Sequence, residues 1–174
     1  AYSLGLRAES LASLTPVSTG GTSPPESEPG TMWVPSGSGA PYIYDDTRDD
    51  WLSITKTIHT FNTSGNADGA YLHIGGWQGV EYFYIPRPCT IVGVFGRIDS
   101  GEITKRIEIH QTDVDETNLV VKYFFNFPSQ IYYVDNATNV EFPGNKLLKI
   151  YVHSDGNFIK QPEIQIEIAW RYVS

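Results

Sequence analysis

Glu163-Ile164-Gln165-Ile166-Glu167-Ile168-Ala169-Trp170-Arg171-Tyr172 is the stretch that decides the fold. Ile164, Ile166, Ile168, Trp170 and Tyr172 fall on one side of an extended chain. Glu163, Gln165, Glu167 and Arg171 fall on the other. A period of two sustained over this length is the pattern of an antiparallel strand with one face on a core and one in water. Sliding the register by one residue would bury two carboxylates, each at a cost of several kcal/mol in desolvation.

Working back along the chain, the same alternation recurs. Lys146–His153 places Leu148, Ile150 and Val152 inward, and Lys149, Tyr151 and His153 outward. Ile103–His110 places Ile103, Ile107 and Ile109 on one face, and Thr104, Arg106, Glu108 and His110 on the other. Leu119–Phe127 puts Leu119, Val121, Tyr123, Phe125 and Phe127 in phase. Further strand signals cover Ser53–Phe61, Ala70–Ile74, Val80–Ile85 and Thr90–Ile98, separated by polar, Gly-rich or Pro-rich turns. No window carries a helical stripe. About eight such strands in about 120 residues indicate an all-β protein, an antiparallel β-sandwich of jelly-roll type. An immunoglobulin-like sandwich is the alternative, but its Cys…Trp…Cys pattern is absent.

Composition divides the chain into three parts. Residues 1–30 read as an extended N-terminal arm in which Leu4, Leu6, Leu11 and Leu14 are the sizeable apolar side chains. A short helix over Arg7–Leu14 is a weak signal there. Pro24, Pro25 and Pro29 remove backbone donors and bias their predecessors to extended geometry. Alone, the arm buries too little apolar surface to offset its ordering entropy, so it is expected to dock on neighbouring chains. About 25 extended residues would reach roughly 80 Å, more than one neighbour. Residues 31–54 read as a linker and β-hairpin: Pro41–Tyr44 up, Asp45–Asp50 turning, Trp51–Ile54 down. Residues 55–174 form the β-sandwich. Leu4, Leu6, Leu11, Leu14, Trp33, Tyr42, Tyr44 and Trp51 are the candidate partner-binding residues.

The 174 residues carry a formal charge of −8, which opposes a phosphate-binding groove and argues against nucleic acid. Charged residues make up 18% and aromatics 13%, a surface composition suited to subunit contacts. Cys89 is the single cysteine, so no intrachain disulfide staples the fold, and it reads as a small buried hydrophobe. That usage fits folding in the cytoplasm. No apolar run is long enough for a membrane-spanning helix, and the first residues lack a signal-peptide core.

No nucleophile elbow or phosphate loop is present, so no enzyme activity and no cofactor are expected. Asp45, Asp46, Asp49 and Asp50, and separately Asp113, Asp115 and Glu116, read as solvated turns rather than metal sites. His59, His73, His110 and His153 read as surface or rim histidines. Trp77, Tyr82, Tyr84, Tyr132 and Tyr133 serve packing or, alternatively, stack on sugar rings.

Ala40-Pro41-Tyr42-Ile43-Tyr44-Asp45-Asp46-Thr47-Arg48-Asp49-Asp50-Trp51-Leu52-Ser53 resembles a segment of tailed-bacteriophage virion surface proteins, where it precedes a β-sandwich. Pro86–Val94 and Pro162–Trp170 are similar to strands of that sandwich. The resemblance spans roughly residues 40–174. It implies an oligomeric virion surface or fibre protein and leaves head or tail open; the expectation drawn here is a structural protein, a capsid decoration or cement protein assembled in the host cytoplasm. Its partners would be further copies of itself, most simply as a trimer, and other virion proteins such as the major capsid protein. The alternative it leaves open is a tail-fibre or receptor-binding module for host-surface glycans.

Overall fold

The structure is a computed structural model and describes residues 17–26, 28–37, 40–75, 79–101, 104–127 and 132–173. Leu4, Leu6, Leu11, Leu14, the helix signal at Arg7–Leu14, Trp77 and Ile103 lie outside the described residues. The chain divides into two compact units, one ending at Ile54 and the other running from Thr55 to Val173. The described residues contain strands and turns and no helix.

The first unit holds β1 (Val17–Thr19), β2 (Met32–Val34), β3 (Tyr42–Asp45) and the first five residues of β4 (Asp50–Asn62). β3 and β4 form the expected hairpin, pairing Tyr42 with Ser53, Tyr44 with Trp51 and Asp45 with Asp50. Asp45 and Asp50 are the last ladder pair, so the turn is shorter by one residue at each end than the sequence suggested. Asp45 accepts the Arg48 backbone N–H and pairs with its guanidinium, and the Tyr44 hydroxyl donates to Asp49. Trp33 packs edge-on against Trp51 at 5.8 Å and beside Tyr42 at 6.4 Å.

Part of the segment read as an arm belongs to this unit. β1 lies parallel to β2, Val17 opposite Met32. The Gly20 N–H donates to the Val34 carbonyl, and the Gly20 carbonyl accepts the Trp33 indole N–H at 2.9 Å. Gly20 and Gly21 both sit at positive φ, 89° and 81°, which a side chain would disfavour. Composition could not anticipate this return, because it is made by backbone pairing rather than by apolar side chains.

The second unit continues β4 and adds thirteen strands. They are β5 (Asn66–Ala67), β6 (Ala70–Tyr71), β7 (His73–Ile74), β8 (Phe83–Ile85), β9 (Cys89–Arg97), β10 (Ser100–Gly101) and β11 (Arg106–Thr112), then β12 (Val120–Asn126), β13 (Tyr132–Asp135), β14 (Val140–Phe142), β15 (Lys146–Val152), β16 (Ile159–Lys160) and β17 (Glu163–Arg171). One sheet runs β4-β17-β9, with β13 and β14 both on the far side of β9. A second runs β12-β11-β15, with β6 and β8 both on the far side of β15, and a small third sheet runs β10-β16-β5. The chain passes repeatedly between the two larger sheets, although β11 and β12 share one and β13 and β14 the other, and these sheets pack as an antiparallel β-sandwich. The inner faces meet in one apolar core that includes Phe61, Ile91, Val94, Ile107, Ile109, Ile150 and Phe142, all fully buried.

β17 takes the expected register: Ile164, Ile166 and Ile168 are fully buried, and Trp170 packs at the core margin under the Arg87 guanidinium. Gly96 of β9 faces inward, and a Cβ there would meet the Phe127 ring at 3.0 Å, so glycine lets that ring lie against the strand. β12 departs from the expected phase. Ile109 pairs with Tyr123 but His110 pairs with Val121, leaving Lys122 as an extra residue. This bulge turns Leu119 and Val121 away from the core that Tyr123, Phe125 and Phe127 join.

Lys105 ties three loop segments together. Its ammonium is fully buried and donates to Asp68, Asp155 and the Asn157 carbonyl, each at 2.6 Å. Those bonds hold both carboxyls below the usual aspartate range. Burial opposes the charge on Lys105, but the two carboxylates outweigh it and raise its pKa.

The pleat of β17 is testable by two adjacent substitutions. Ile166→Ala should cost about 2–5 kcal/mol through the cavity it leaves. Gln165, half-buried and bonded to Glu163 at 3.0 Å, should cost about 0.5 kcal/mol or less when changed to alanine. Urea unfolding of the full chain reads both. A larger cost at 165 than at 166 would contradict the register.

Candidate interaction faces of the sandwich

The outer face of the β12-β11-β15 sheet carries Arg106, Glu108 and His110 beside Lys149, Tyr151 and His153. The sequence placed these side chains outward and in water. They do point away from the core, yet Glu108, His110 and Lys149 are buried, 6%, 4% and 4% exposed. Aromatic rings cover them. His110 stacks on Tyr151 at 5.2 Å and meets Tyr71 edge-on at 5.7 Å, while the Lys149 ammonium lies 4.9 Å over the Tyr71 ring. Alternation of polar and apolar residues reports which face a residue takes. It does not report whether something else covers that face.

The charges beneath the rings are paired with one another, although Arg106 Nε makes no hydrogen bond. His110 Nε2 is 2.7 Å from Glu108 Oε2, and Tyr71 Oη is 3.2 Å from His110 Nδ1. Arg106 Nε and His153 Nδ1 lie 2.7 and 3.2 Å from Glu108 Oε1. Burial pushes the Glu108 carboxyl up, but the His110 hydrogen bond and the nearby Arg106 charge outweigh it and hold the carboxyl below its ordinary value. Lys149 pairs with Glu116, and Lys146 with Asp113. The acidic loop at 113–116, read as a solvated turn, thus anchors to two lysines of β15. Asp115 caps that loop internally through Thr117.

The edge of this sheet is apolar. β12 is its last strand, and Val120, Val121 and Phe124 are 47%, 41% and 53% exposed. The Arg106 guanidinium lies 4.0 Å over the Phe124 ring. Glu108 sits opposite Phe124 in the ladder and pairs with the arginine that lies over this ring. An uncovered edge strand with apolar side chains marks a pairing or interaction site.

The outer face of the other sheet holds a shallow groove of about 190 Å³ across β13, β9 and β17. Tyr132, Arg97 and Glu163 form one cross-strand row, and Val134, Phe95 and Gln165 the next. A cavity of about 280 Å³ that shares Arg97 and Glu163 continues past Asp99, Gln161 and Asn62. Tyr133, singled out with Tyr132 in the sequence, turns the other way. Its ring stacks on Phe125 at 4.0 Å, and its hydroxyl shares a 2.7 Å hydrogen bond with Tyr123, which in turn donates to Asp135. Tyr84 bonds Asn145, and Tyr82 is exposed away from this groove.

The other singled-out residues fall as follows. Trp33, Tyr42 and Trp51 are buried, so the aromatic rings expected to meet a partner are packed within the chain; Tyr44 is half-buried. His110 is a buried member of a polar cluster rather than a surface histidine. Cys89 is fully buried, and burial pushes its thiol up to about 12, so it is protonated and unreactive. Phe95, Arg97, Phe124 and Arg106 were not singled out by the sequence. The legible signal was Arg106-x-Glu108-x-His110, three ionisable residues on one strand face. The chain matches no protein-family model and no curated protein.

Glu108→Gln should destabilise the protein by about 2–3 kcal/mol at neutral pH, because Arg106, His110 and His153 lose a shared carboxylate. The Glu108 pKa is depressed on folding, so its contribution is present above the ordinary value of 4.5 and is lost as pH falls below it. Thermal unfolding of wild type and variant should therefore converge under acid. A constant gap down to acid pH would contradict the ionic role.

Proposed function

We propose that this protein is a structural subunit of a virion surface, a bacteriophage capsid decoration or cement protein that self-associates through the β12 edge. The observation that carries this reading is Val121 and Phe124, apolar and exposed on one face of a sheet edge, with Val120 exposed beside them. Phe124 sits under an arginine that pairs with the buried Glu108 carboxylate. Aromatic and arginine side chains on a rigid base are what binding hot spots use. The phage-like Ala40–Ser53 segment and the β-sandwich, read as a jelly roll, support the virion setting, since jelly rolls recur in capsid domains. Fold alone would not assign it. In this reading the segment before Val17, with Leu4, Leu6, Leu11 and Leu14, reaches the major capsid protein and neighbouring copies.

Light scattering and sedimentation on the full chain test the association. At about 10 μM the wild type should be a trimer, and Phe124→Asp should weaken association by about tenfold or more while leaving the melting temperature nearly unchanged. A monomeric wild type, or a variant that associates as well as wild type, would overturn the proposal.

A further inference from the structure

We infer that the groove across β13, β9 and β17 binds a neutral oligosaccharide. This does not rest on the virion reading. A pyranose offers an apolar C–H face and a rim of hydroxyls, so its site needs an aromatic platform bordered by planar polar groups. The groove supplies both. The rings of Tyr132 and Phe95 are open to solvent in adjacent cross-strand rows, and Arg97, Glu163 and Gln165 stand beside them. Neighbouring strands lie about 5 Å apart and same-face rows about 7 Å apart, a spacing on the scale of a sugar ring.

The polar groups are already held in place. Gln165 donates to Glu163 at 3.0 Å, and Arg97 donates to Asp99 at 3.3 Å. Side chains so fixed lose less freedom on binding. Charge then selects the ligand. The guanidinium is neutralised by Asp99, Glu163 adds a negative charge, and the whole chain carries −8, so an anionic ligand meets repulsion while a hydroxyl-rich neutral one does not. A second copy of the chain suits this face poorly, because Arg97 and Glu163 occupy its middle and interface cores are depleted in charge. The adjoining polar cavity extends the path past Arg97, giving an open trough for several sugar units rather than a closed pocket for one.

The test is a titration of the isotope-labelled full chain with maltohexaose, cellohexaose, chitohexaose, a mannan hexasaccharide and a galactan hexasaccharide, each to about 10 mM, followed by backbone amide shifts. At least one should give saturable shifts centred on Phe95, Arg97, Tyr132 and Gln165. Tyr132→Ala and Glu163→Gln should each weaken that binding by about tenfold or more, and the exposed control Ile58→Ala should leave it unchanged. No saturable shift with any of the five sugars would overturn the inference. So would shifts confined to another surface, equal affinity in both groove variants, or an oligomer that buries Tyr132. Any of these can occur with the Phe124-dependent association intact, so the two proposals fail separately.

Discussion

The antiparallel pairing of β9 with β17 is the constraint on which the second unit depends. From Glu163 opposite Arg97 to Trp170 opposite Cys89, the two strands stay in step apart from one irregularity after Glu167. On the inner side their isoleucines and valines close the core. Once that side is fixed, the pleat fixes the other. Phe95, Arg97, Glu163 and Gln165 must face out, and β13 must bring Tyr132 and Val134 into the same rows. The groove is thus a consequence of the core register, since a one-residue slip would exchange it for buried carboxylates.

Buried polar groups do the work that disulfides do in other small β-sandwiches. Lys105 gathers Asp68 from one loop and Asp155 and the Asn157 carbonyl from another, and Glu108 gathers His110, Arg106 and His153 on the outer face of the second sheet. Each cluster is costly to break, because removing one member strands charges that folding has withdrawn from water. The second cluster also pairs with Arg106, which lies over the Phe124 ring. Stability and surface chemistry are coupled there.

The sequence made the sandwich legible through β11, β15 and β17, where alternation runs for seven residues or more. β13 and β14 escaped notice because four and three residues between turns give no measurable period. The phase of β12 was misread because a bulge at Lys122 breaks the alternation, and nothing local announces it. The hairpin at Tyr42–Ile54 was plain from its turn residues, whereas the pairing of Val17–Thr19 with Met32–Val34 is held by backbone bonds that composition does not encode. The candidate faces were harder still. Lys149, Glu108 and His110 look solvent-facing in a linear pattern, and only the placement of Tyr71 and Tyr151 shows them covered. The groove residues come from three strands far apart in sequence and share no motif.

Quantitative mass spectrometry of virus particles purified from the source that encodes this chain tests the proposed decoration role most directly. A decoration subunit that assembles through its β12 edge should be present in hundreds of copies, in fixed proportion to the major capsid protein. Complete absence from purified particles, or only a handful of copies per particle, would contradict it.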